Sequence, residues 1–304
     1  MTLGYGLRLA LLAPASFFGV NLAMGLVVRL VAPWIIRRAQ RLSAGTAANL
    51  LLAARLAPSM FALAAAAGLC VPSFLLHEQR TTAEGIGVAC LLAGLLGIAT
   101  WGDTLVRGAR AIFACSRFLR HAEHARGLVT LAGVLHPRLV ISRDVREALS
   151  PEELDVAVRH EHAHWASHDN LRHLLVLLTP SLLPGWRVFA LLDRARLQFT
   201  EWAADDCAIA GNPRSAVVLA DVLVRVSRLA GSQKPVPLAA SLLDTHDHLE
   251  SRVARLLNDD FMADARPSRS PLLILPIALL TVALPLLRPG ALLAVHDLLE
   301  RLIR

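Results

Sequence analysis

Long apolar runs restrict this chain more than any other feature. Leu9 to about Trp34 is interrupted only by Asn21 and Arg29 among strongly polar residues. At a rise of 1.5 Å per residue, a helix over that run covers a hydrocarbon layer of about 30 Å. Leu56–Leu76 and Gly85–Trp101 repeat the pattern, and Leu272–Leu287, with continuation toward Val295, repeats it once more. The composition agrees, because 55% hydrophobic and 18% charged residues make too apolar a balance for an ordinary soluble domain. The expected fold is therefore a mainly α membrane protein with about four transmembrane helices. Ala13-Pro14-Ala15 resembles a signal-cleavage site, but the apolar run continues about twenty residues past it, which favours an anchor over a removed signal.

Charge placement sets the expected orientation. Arg37, Arg38, Arg41 and Arg55 lie between the first two runs, whereas the next connection sets Arg80 against Glu78 and Glu84. Basic residues gather on the cytoplasmic side, so the first connection is cytoplasmic and the N-terminus outside. Arg107, Arg110, Arg117, Arg120 and Arg126 follow the third run, and Arg266 and Arg269 precede the fourth. The expected organisation is a three-span region 1–101, a cytoplasmic region 102–270, and a fourth helix with a short tail at 271–304. The net charge of +7 comes from scattered arginines with no basic recognition motif, so the expected partner is the lipid bilayer and no direct nucleic-acid binding is expected. Arginine outnumbers lysine heavily, which suits a GC-rich bacterial genome and hence a bacterial plasma membrane.

Two details belong to the same reading. The apolar stretch 174–192 is broken by Pro180, Pro184, Gly185 and Arg187 into pieces too short to cross, and reads as a broken hairpin or re-entrant element. Cys70, Cys90, Cys115 and Cys207 lie far apart and read as small core residues.

The chemistry concentrates in "RHEHAHWASHDN", residues 159–170. Ser150-Pro151-Glu152-Glu153 starts a helix, with a capping serine, proline at the first helical position and glutamate three after the cap. On that helix His160 and His164 stand about 40° apart around the axis and can address one ion, with Glu161 on the adjoining edge. This is H-E-x-x-H, in which two imidazoles bind zinc and the glutamate takes a proton from activated water. His162 points about 200° away from His160 and is read as a surface or core residue.

A catalytic zinc needs a third protein ligand. "TEWAADDCAIAG", residues 200–211, offers Glu201 on a helical segment ended by Gly211, with Asp205 one turn on. Glu201 is the expected third ligand, with His168 as the rival. Asp205, or alternatively Asp206, would accept a hydrogen bond from a ligand histidine and fix its tautomer. Ser167 and Asn170 stand where an astacin-like motif needs glycine and histidine, which excludes that class.

These segments, "HPRLVISRDVREALSPEELDVAVRHEHAHWASHDNL" and "EWAADDCA", resemble the BlaR/MecR-type membrane metallopeptidases of the wider gluzincin group. The resemblance implies a cytoplasmic gluzincin-like α+β zinc peptidase domain inserted between the third and fourth spans. It implies one catalytic Zn2+ held by His160, His164 and Glu201, Glu161 as general base, and Asp205 as the partner behind the ligands. It further implies an edge strand at 138–145, centred on Val140 and Ile141, against which a peptide would lie, and a late helix at 248–258. The alternation and β-branching of Val140 and Ile141 fit a strand independently.

The implied activity is zinc-dependent endoproteolysis of a cytoplasmic or membrane-proximal protein substrate, with a transcriptional repressor as one such substrate in a signalling pathway. Nothing beyond Val295 resembles the penicillin-binding sensor of the antibiotic-sensing members. His173, His246, His248 and nearby arginines are candidates to steady the oxyanion. The rival readings are a non-catalytic zinc-binding scaffold or signal transducer, which would not need Glu161, and a transporter component, which the scarcity of ionisable residues in the spans disfavours.

Overall fold

The computed structural model describes residues 4–78, 87–121, 127–180, 187–230, 239–241 and 246–258, with a few positions between 288 and 297. Three helical stretches are long and apolar enough to cross a membrane: Tyr5–Ala39 (α1), Ala44–His77 and Val88–His121 (α4). The second comprises α2 (Ala44–Ala65), a π-turn at Ala66–Cys70 and α3 (Val71–His77). The π-turn sits just before Pro72, which has no N–H and whose ring crowds the preceding turn, so the ladder widens instead of breaking. Residues 272–287 lie outside the described residues.

All three stretches outrun the sequence boundaries. The second starts at Ala44, twelve positions before Leu56, so Arg55 is not in a loop as expected from charge placement. It is a buried helical residue, with Nε 3.3 Å from Asp193 and its guanidinium over the Phe189 ring. The connection between the first two helices shrinks to Gln40–Ser43, which keeps Arg37, Arg38 and Arg41 at the turn. The third helix continues through Trp101 to His121 without a break, so residue 101 lies mid-helix.

Exposed Leu26, Leu30 and Trp34 on α1, and Leu92, Leu96 and Phe113 on α4, present the apolar outer face that lipid would cover. Inside, α1 packs on both other stretches. Gly94 and Gly97 allow α4 its close approach: a Cβ on Gly97 would stand 2.4 Å from the Pro14 carbonyl oxygen of α1. At the far end of the hairpin, Arg8 of α1 and Glu78 form a buried ion pair.

Beyond α4 the chain forms β1 (Val129–Ala132), β2 (Arg138–Ile141), α5 (Arg143–Ala148), α6 (Pro151–Ser167), α7 (Asp169–Leu177), α8 (Arg187–Ile209), α9 (Pro213–Ala230), β3 (Ala239–Ser241) and α10 (His246–Leu257). The sheet is antiparallel, in the order β2-β1-β3. The strand expected at 138–145 stops at Ile141, because Ser142 and Asp144 turn to satisfy the backbone N–H groups of Leu128 and Gly127 and α5 begins at Arg143. A buried core of Val129, Val145, Val156, Ile209, Leu219, Leu223 and Leu256 unites β1, α5, α6, α8, α9 and α10. A second core joins Val28, Ala32, Ile35 and Leu51 of the spans to Leu192 and Phe199 of α8. Within the stretch 174–192, α7 ends at Leu177 and α8 begins at Arg187; residues 181–186 lie outside the described residues, and both helices pack on α2.

Candidate metal centre

The register of α6 is set at its start. Ser150 Oγ accepts from the Glu153 amide and Glu153 Oε2 accepts from the Ser150 amide at 2.7 Å, a reciprocal capping box with Pro151 at the first position. Counting from that start, Val156 and Ala157 enter the core, and His160, Glu161 and His164 fall on the same inward side. His162 faces outward against Trp165. The helix ends at His168, which adopts a left-handed conformation (φ 56°, ψ 39°) and is exposed, so it does not extend the metal-facing row.

Glu201 comes from α8, which crosses α6. His160 Nε2 and His164 Nε2 are 3.1 Å apart, and each is 3.6 Å from a Glu201 carboxylate oxygen. The ligand atoms of these three buried residues lie within 4.8 Å of one another and could hold a metal ion. A tetrahedral ion with bonds of about 2.0–2.1 Å spaces its donors by about 3.3 Å, so this triad fits a zinc-sized cation. Two imidazoles and one carboxylate are also a donor set that zinc accepts.

Behind the triad stands a ring of carboxylates and one arginine. His164 Nδ1 donates to Asp169 Oδ2 at 2.8 Å, which turns Nε2 toward the triad. His160 Nδ1 lies 3.0 Å from Asp205 Oδ1. Asp206 instead pairs with Arg255 of α10 at 2.7 Å. Arg252, also of α10 and buried, donates through Nε and Nη2 to Asp205 at 2.9 and 2.6 Å, while its Nη1 sits 2.9 Å from Glu201. Asn170 ties α7 to the sheet by donating to the Leu131 and Gly133 carbonyls, both at 2.8 Å.

The electrostatics follow from burial and pairing. Burial alone would lower His164, but Glu201 and Asp169 outweigh it and raise it to about 10. Protons therefore compete with a cation for this nitrogen. Burial pushes Asp205 and Glu201 up, yet Arg252 beside both brings them below the ordinary carboxylate range. Glu161 is different. It is fully buried, faces the Leu131 backbone, and burial pushes it up to about 7. Neither of its carboxylate oxygens has a hydrogen bond of normal geometry among the described residues. A carboxyl so placed can take up and release a proton near neutrality.

The triad expected from sequence, with Glu161 and Asp205, is thus brought to one place. Val140 and Ile141 are half-buried on β2, at one edge of the sheet, whereas β3 at the other edge packs with β1 against α6. His173 lies by Arg196 and Asp193; the side chains of His246 and His248 lie outside the described residues. Asp169 and Arg252 were not singled out from the sequence. Arg252 did leave a signal: between Leu249, Val253 and Leu256, it puts a charge on the apolar face of an amphipathic helix. Asp169 left almost none, since its approach depends on the backbone reversal at His168.

A family model described as BlaR1 peptidase M56 matches residues 87–256. No curated protein and no solved structure matches the chain.

Proposed function

Since this chain belongs to the BlaR1 peptidase M56 family, we propose that it is a membrane-embedded zinc-dependent endopeptidase that cleaves a cytoplasmic or membrane-proximal protein. The observation that carries the reading is the convergence of His160, His164 and Glu201 beside a fully buried Glu161. A catalytic site needs such a base; a purely structural metal site does not.

In this reading His160, His164 and Glu201 hold the ion, with Asp169 and Asp205 orienting the two imidazoles. Bound zinc supplies Lewis acidity toward the scissile carbonyl and lowers the pKa of the attacking water. Glu161 takes the proton from that water and hands it to the leaving amide nitrogen, and its raised pKa suits both transfers. An extended substrate segment pairs with a sheet edge, for which Val140 and Ile141 on β2 are the sequence-based candidates. A transcriptional repressor is the substrate class the family suggests.

The topology in this reading has the basic turn at Gln40–Ser43 and the peptidase region in the cytoplasm and the N-terminus outside, in a bacterial plasma membrane. The chain divides into a three-span region 1–101, a peptidase region 102–270 and a fourth span with its tail at 271–304. Two contacts support the fourth crossing. Asn258 stands near the turn Gln40–Ala44, whereas Ser73, toward the opposite end of that hairpin, donates to the Leu292 carbonyl at 2.8 Å.

The test compares new protein termini in cells expressing wild type and Glu161→Gln, with zinc measured on both purified proteins. A terminus produced only by wild type at equal zinc content supports the endopeptidase and identifies its substrate. Identical termini with zinc retained would favour the scaffold reading, and absence of zinc from both would remove the site assignment.

A further inference from the structure

A groove outside the metal centre opens between the turn joining the first two spans and the outer faces of α8 and α10. Arg41 and Ser43 from the turn, Trp202 from α8, and Ser251, Arg255 and Asn258 from α10 contribute its polar lining. No acidic side chain lines it among the described residues. Arg255 is partly matched by Asp206 and stacks on the Trp202 ring at 5.3 Å. Arg41 is exposed, and among the described residues it meets no carboxylate. The Trp202 indole Nε1 is buried and has no hydrogen-bond partner among those residues. Such a donor is costly to leave unmade unless something else completes it. Leu42, Phe199 and Ala254 make the remaining wall apolar.

Depth matters as much as charge. Trp34, 62% exposed near the end of α1, is the kind of aromatic that sits at the level of lipid headgroups. Gln40, at the lip of the groove, follows six residues later, about 9 Å along the axis. That places the groove at the outer margin of the interfacial layer, on the face where Arg37, Arg38 and Arg41 gather.

We infer that this groove binds the headgroup of an anionic phospholipid, with its phosphate between Arg41 and Arg255 and within reach of the Trp202 N–H. A bilayer lipid fits better than a soluble anion, since much of the wall is apolar and the groove adjoins the turn between two helices of bilayer-spanning length. Trp202 and Arg255 adjoin Glu201 and Asp206, so an occupied groove also braces α8 and α10 where they carry the metal centre.

The experiment uses the full chain in discs of phosphatidylcholine doped with phosphatidylglycerol, with co-retained lipid counted by native mass spectrometry. Wild type is expected to retain phosphatidylglycerol in preference. Arg41→Glu lowers that preference at least about fivefold, and Trp202→Phe, which removes the N–H together with the five-membered half of the indole, lowers it in the same direction. Arg120→Glu, an exposed charge on α4 away from the groove, leaves it unchanged. The inference is overturned if Arg41→Glu and Trp202→Phe both retain the full preference. An equal loss in Arg120→Glu would overturn it too, since only general surface charge would then be at work. Displacement of the retained lipid by inorganic phosphate would make the groove a free-anion site instead. The readout involves neither zinc nor hydrolysis, so it stands apart from the peptidase reading.

Discussion

Asp169 and Arg252 hold the candidate metal centre in shape without belonging to the H-E-x-x-H motif. Asp169 accepts from Nδ1 of His164 and so orients the ring with Nε2 toward the triad. Asp169→Asn, which keeps the size but weakens the acceptor, is expected to reduce zinc affinity about 10- to 100-fold in a chelator competition. Arg252 neutralises Glu201 and Asp205 together. Replacing it by methionine leaves two buried carboxylates facing each other, a loss on the order of 3–5 kcal/mol in denaturation of the metal-free chain. The loss should shrink when zinc is present, because the cation supplies the missing positive charge. His160, His164 and Glu161 were legible in sequence because helical spacing alone puts them together; Asp169 and Arg252 were not, because only the path of α7 and α10 brings them in.

Among the elements, α6 and α4 are the most specific. The capping box at Ser150 sets where α6 begins and thereby which side chains face the triad. Ser150→Ala should cost about 1 kcal/mol in thermal or chemical unfolding. On α4, Gly97→Ala would drive a methyl group against the Pro14 carbonyl, whereas Gly102→Ala, on the same helix, meets nothing within 4 Å. The first is expected to abolish cysteine crosslinking between α1 and α4 and the second to leave it intact; equal crosslinking in both would contradict the close approach. The starts of α6 and the end of α8 were readable from capping chemistry, including Gly211 at φ 73°. The true lengths of the spans were not, since hydropathy falls off at Arg55 and Asp103 although the helices continue through both.

At the scale of the molecule, α2 meets α7 and α8 across a buried polar seam. Arg55 of α2 reaches Asp193 of α8 at 3.3 Å, and Arg172 of α7 reaches Asp169 at 3.3 Å. Arg196 is buried among them and is attracted by both aspartates. His173 shares this seam, where burial and the charge of Arg196 hold it down at about 4. Its folded pKa lies below the free value of 6.5, so the folded state keeps it neutral. The stability tied to its neutral form is complete above about 6.5 and drains away as pH falls toward 4. By about pH 5 the loss is on the order of 2 kcal/mol. His173→Gln should therefore unfold less steeply than wild type between about pH 6.5 and pH 4, and parallel pH profiles would show that the seam does not desolvate this histidine.

Local periodicity was enough to establish a mainly helical chain with apolar stretches of bilayer length, the start of α6 and the residues that point inward from it. These properties depend on neighbours within a turn or two, which the order of residues contains directly. The closure of Glu201 onto the two histidines, the arginine that pairs with its carboxylate and the burial of Arg55 depend on how α6, α7, α8 and α10 cross each other and pack on α2. Such crossings join residues more than thirty positions apart, and there it is the complementarity of buried charges and packed side chains, not spacing along the chain, that decides which of them meet.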